Sequence, residues 1–136
     1  MWPFTKKPAA PPPDDVVIGN NRAHYDAQVD QWEFVVDGVE FTYSPLTFPP
    51  EAFQWAHAEV VHIKRLWHEI DRRVEAYLRD GGGMNAAARE LLGVSLDDYE
   101  AEGDVMLSFT GDDSWGDFGV TVTLTDGKIV EVSGGD

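Results

Sequence analysis

The chain contains no cysteine. That absence excludes disulfides, thiol nucleophiles and cysteine-ligated metal clusters. Positive charge is scarce: ten Lys and Arg stand against 25 Asp and Glu, for a net charge of −15. So acidic a surface repels phosphate backbones and anionic lipid, which argues against nucleic-acid and membrane-surface binding. No apolar run reaches the roughly 18 residues that a membrane-spanning helix needs. A secretory signal needs an apolar stretch behind its first positive charges, and here Lys6 and Lys7 run into Pro8 and three further prolines. Export is not expected, and the expected location is the cytoplasm.

What remains is a chain of 136 residues, 43% hydrophobic, enough for one domain with a core of its own. Five of the eight prolines fall in the first 13 residues. Proline fixes φ and lacks a backbone donor, so residues 1–15 read as an extended, disordered arm and residues 16–136 as a single domain. Trp2 and Phe4 are unusual in such an arm and suggest packing back on the domain or weak anchoring elsewhere.

Trp32–Val36 and Val39–Tyr43 alternate apolar and polar residues around Asp37-Gly38, the pattern of a hairpin whose central residues need positive φ. From Glu51 to Arg79 there is neither glycine nor proline. Apolar residues recur there at Phe53, Ala56, Val60, Ile63, Trp67, Ile70, Val74 and Tyr77, at spacings of three and four. That stripe predicts one amphipathic helix of about 43 Å, long enough to kink or to protrude from a small domain. Asp80-Gly-Gly-Gly83 ends it. A short second helix is expected over Asn85–Leu92, and a further turn after Ser95. The last third reads as strands at Asp104–Phe109, Phe118–Leu124 and Lys128–Val132, the last two joined by Asp126-Gly127. The expected fold is α+β: an antiparallel sheet of about five strands, with two Asp-Gly hairpins, packed by the long helix and the short one.

The charge is unevenly placed. Residues 50–79 carry five acids and five bases, an ordinary solvated helix with pairs such as Glu69 to Arg73. Residues 96–136 carry eleven acids and Lys128 alone. Crowded like charges cost stability, so this end is either a solubility surface or a docking surface for a basic partner or a cation.

Few residues suggest catalysis. His57, His62 and His68 stand five and six residues apart, not the four that lets two helical imidazoles share a metal. The triple glycine lacks the lysine and hydroxyl of a phosphate loop. The segment Thr110–Asp117 is richer, with three aspartates around an exposed-looking Trp115. Alternating aspartates and glycines can ligate calcium or magnesium, and Asp112 with Asp117 could form an acid/base pair. No histidine, lysine or serine–histidine pair nearby completes a catalytic set. The simplest account is a turn with Trp115 packed on the sheet. The functional one is a binding surface of Asp112, Asp113, Trp115 and Asp117.

The order of features resembles the DUF2262 family, a bacterial domain of unknown function. The matching residues are the Trp32–Tyr43 hairpin, Trp67 in mid-helix, Ala87-Ala-Arg-Glu-Leu-Leu92, Ser95-Leu-Asp-Asp-Tyr99, and Trp115-Gly-Asp-Phe-Gly-Val-Thr-Val122. The likeness runs from about residue 25 to the end. Where the family carries a glycine–histidine pair, this chain has Gly116-Asp117. The resemblance implies an architecture and carries no activity with it.

Two readings of function follow. The first is a non-catalytic acidic protein-binding module of the bacterial cytoplasm that meets a basic protein, in one form an immunity or inhibitor protein covering a basic toxin or nuclease. The alternative is a small divalent-cation-binding protein or hydrolase using the 112–117 loop. No catalytic residue is assigned and no cofactor is implied.

Overall fold

A computed structural model describes residues 11–135. The segment carrying Trp2 and Phe4, and most of the expected 1–15 arm, lies outside those residues. The chain forms β1 (Val16–Ile18), β2 (Asn21–Asp26), β3 (Gln31–Val36), β4 (Val39–Tyr43) and the long helix α1 (Ala52–Gly81). After it come β5 (Glu90–Ser95), α2 (Tyr99–Glu102), β6 (Asp104–Thr110), β7 (Gly119–Thr125) and β8 (Lys128–Gly135). The fold is α+β, with all eight strands in one sheet in sequential order. Every neighbouring pair is antiparallel except β4 with β5, which α1 joins as a crossover. Two four-stranded meanders thus lie side by side.

The sheet is wider than the five strands expected. Strands β1 and β2 are short or polar, and in β2 only Ala23 is fully buried. The larger correction is β5, which begins inside the expected short second helix, at Glu90, and runs on to Ser95. Helix formers Ala87–Leu92 make a single 3₁₀ turn at Ala86–Ala88 and then extend. Tertiary pairing overrides their propensity. Phe41 and Thr42 of β4 pair with Val94 and Ser95, and β6 pairs on the other side, so β5 supplies the bonds that join the two meanders. The short second helix lies instead at α2, opened by Asp98 without a side-chain cap. Ser95 Oγ accepts from the Asp97 amide just before it, at 3.2 Å.

Asp37 and Gly38 sit at φ 49° and 80° between the paired Val36 and Val39, and Asp126 and Gly127 at 51° and 71° between Thr125 and Lys128. Helix α1 is one element of 30 residues, about 45 Å at 1.5 Å per residue. Seven strand spacings of about 4.8 Å give a sheet some 34 Å wide. The helix contacts strands from β3 to β8, and its burial continues to Leu78. Of the kink or protruding end expected from its length, the protruding end is absent.

One face of the sheet is buried under α1. Its first half is aromatic: Phe34 stacks on Phe41 at 5.6 Å and meets Phe53 edge-on at 5.4 Å, and Trp32 packs on Phe48 at 5.3 Å. Its second half is mostly aliphatic, with Val105, Leu107, Val122 and Leu124 in one core with Ile63, Ile70 and Val74. Each such side chain contributes about 1.5–3 kcal/mol by leaving water. Trp67, expected in the buried stripe, is 38% exposed and stacks on Phe109 from the flank. Glu59 holds a stripe position instead, at 4% exposure.

Candidate functional site

The 112–117 loop connects β6 to β7 and contains a 3₁₀ turn, Asp113–Trp115. Asp112 caps that turn: its Oδ1 accepts from the Ser114 amide at 3.0 Å. Its Oδ2 accepts from Asn85 Nδ2 at 2.9 Å, and the Asn85 amide donates to Ser114 Oγ at 2.8 Å. The hydrogen bonds from Ser114 and Asn85 hold the Asp112 carboxyl below its ordinary range. Trp115 is not exposed. It is 97% buried, and its indole N–H donates to the Asn85 carbonyl at 2.9 Å. Its ring lies so close to Gly111 that a Cβ there would stand 2.2 Å from it.

The four expected binding residues therefore divide. Asp112 and Trp115 latch the loop to the linker behind α1, while Asp113 and Asp117 face solvent. Asp117 borders a shallow groove of ≈ 530 Å³ floored by Gly119 and Gly134. Local signals pointed to part of this: aspartate two residues before Ser114 is an Asx-turn pattern. Nothing local shows that Gly111 makes room for an indole.

The acids of the last third do not gather on one surface. Asp98, Glu100 and Glu102 lie on the β5–β6 connection, with Asp126 on the β7–β8 turn at the same end of the sheet. Asp113 and Asp117 lie at the opposite end of β6 and β7, about 20 Å away along seven strand residues. Among the described residues, no acid from Glu90 to Glu131 forms an ion pair. Asp97 accepts from the Ser44 amide at 2.7 Å and its hydroxyl at 2.8 Å, and Asp104 from Thr125 Oγ1 at 2.6 Å. The helix is different. Glu69 meets Arg72 at 2.6 Å and Arg73 at 3.0 Å, which lowers its carboxyl to about 2. Arg89 forks onto Asp71 at 2.7 and 2.9 Å and reaches Glu75 at 3.0 Å.

The face of the sheet away from α1 is uncovered and carries a cleft of ≈ 800 Å³. Thr42, Gly93, Ser95 and Ser108 form its floor around the β4–β5 junction. Arg22 and His24 stand at one side, with Asp15 holding both at 2.8 Å. Glu33 and Glu40 stand between, beside exposed Val35 and Leu92. Nothing in the sequence marks this cleft, because β2 is largely polar and β5 opens with the helix formers Glu90, Leu91 and Leu92.

Each helical histidine stays apart from the others. His62 Nδ1 lies 3.0 Å from the buried Glu59, and His57 lies 3.6 Å from Asp37. Burial pushes the Glu59 carboxyl up, against the opposing pull of His62, while Asp126 adds to the rise. Tyr99 shares this environment, its hydroxyl raised by burial and by Glu59. Among the described residues, no three His, Asp or Glu are grouped so as to hold a metal ion. No helix among them is long and apolar enough to cross a membrane.

No family model, curated protein or solved structure matches this chain.

Proposed function

We propose that this protein is a non-catalytic binding module of the bacterial cytoplasm, related to DUF2262, that docks a basic protein. One concrete form is an immunity or inhibitor protein that covers the cationic active site of a toxin or nuclease. A single observation supports the reading: the acids of the last third have no ion-pair partners among the described residues, whereas those of α1 largely do. Unpaired exposed carboxylates repel one another, and a cationic surface relieves that repulsion while steering encounter. The contact acids are Asp98, Glu100 and Glu102 at one end and Asp113 and Asp117 at the other. Asp112 and Trp115 position the second group.

The test uses the full chain as bait in lysate of its source cell, at low and at physiological salt. Two variants run alongside, D98N/E100Q/E102Q and D113N/D117N. The reading expects a basic protein retained at low salt, thinned at higher salt, and reduced on at least one variant. Equal capture by all three baits would contradict it.

A further inference from the structure

We infer that the cleft on the uncovered sheet face is a docking surface for the chain's own N-terminal segment, Trp2 to Lys7. The first support is where the described chain enters. Asp15 reaches onto this face and pairs with both Arg22 and His24, which border the cleft. The chain preceding β1 is thus tied beside the cleft before the segment begins.

The second support is charge. With Arg22 and His24 engaged by Asp15, the carboxylates of Glu33 and Glu40 remain without a cation among the described residues. Glu33 pairs across the sheet with Thr42, so Glu40 lies diagonally from it on the same face, about 7–8 Å away. Residues 1–13 contain Lys6 and Lys7 and no acid, in a chain whose net charge is −15. That segment matches the exposed acid pair in sign.

The third support is apolar. Val35 is 56% exposed and Leu92 63%, flanking the hydroxyl-bearing floor. Trp2, Phe4 and Lys6 alternate, so an extended segment presents all three on one side. The length also fits. Nine residue steps lead from Lys6 to Asp15, about 30 Å of extended chain. Glu33 and Glu40 lie one and two strands beyond Arg22, about 5–10 Å away. Tethering makes the contact intramolecular, so a weak interaction suffices to keep it formed. An incoming segment of similar chemistry would have to displace it.

The absence of cysteine permits a unique spin label on the full chain at T5C. Amide signals of Val35, Glu40, Gly93 and Ser95 are expected to be lost to paramagnetic broadening and recovered in T5C/K6E/K7E. E33K/E40K, altered on the cleft side, is expected to recover them as well. Broadening confined to residues 11–24, or unchanged by K6E/K7E, overturns the inference. So does broadening that appears when labelled copies without isotope are mixed with isotope-enriched copies lacking the label, since the occupant would then be a second molecule.

Discussion

The indole N–H of Trp115 donates to the backbone carbonyl of Asn85 at 2.9 Å, across 30 residues of sequence. This bond closes the acidic loop against the segment that leads from α1 into β5. With the Asn85 side chain on Asp112, it fixes where Asp113 and Asp117 stand.

Gly111→Ala is expected to destabilise the protein by about 1–3 kcal/mol, the usual range for forcing an added carbon into a packed site. The added Cβ meets the Trp115 ring, which has no free side to retreat to. Urea midpoints give the size, and the near-ultraviolet dichroism of the indole shows whether the ring has moved.

Asn85→Ala removes the cap on the Ala87 amide and the donor to Asp112. Loss of one cap costs about 1 kcal/mol. Hydrogen exchange at residues 83–88 and 111–117 is expected to rise together. A rise in one segment alone would show that the latch does not couple them.

Arg89→Lys keeps the charge but loses the planar fork onto Asp71. A loss of about 1–2 kcal/mol is expected, given charged hydrogen bonds partly screened by solvent. Arg89→Ala should cost more, because it also removes the positive charge that pairs with Asp71 and Glu75. Equal stability of the Lys variant and the parent would show that charge alone suffices.

Glu59 sets a pH dependence. Burial holds its carboxyl above the ordinary value of 4.5, so the folded protein binds this proton more tightly than the unfolded chain does. Stability from that group is complete below 4.5 and is lost as pH rises through the raised folded value. Glu59→Gln is expected to gain stability relative to the parent as pH rises from 4.5 toward neutrality. Thermal midpoints across that window check the sign. A gain that grows as pH falls would contradict it.

The sequence made α1 legible because its buried side needs apolar residues every third or fourth position, and strands β3, β4, β6 and β7 legible because their faces alternate. It hid β2, whose core contribution is little more than Ala23 and half-buried Tyr25. It misrepresented β5, since Ala, Arg, Glu and Leu favour a helix unless two strand edges demand a partner between them. The acidic loop was visible as composition, but the burial of Trp115 depends on Asn85 and Gly111, one of them remote. Glu59 was unreadable as a core residue, because its place is set by His62, Tyr99 and a turn more than 60 residues away.

The measurement that tests the central claim most directly is the association rate of the captured partner with the parent and with D98N/E100Q/E102Q, across ionic strength. The account predicts that the parent associates faster at low salt and slows steeply as salt rises, while the variant is slower and its salt dependence shallower, with dissociation little changed. Identical association rates and salt slopes would contradict a docking role for these acids.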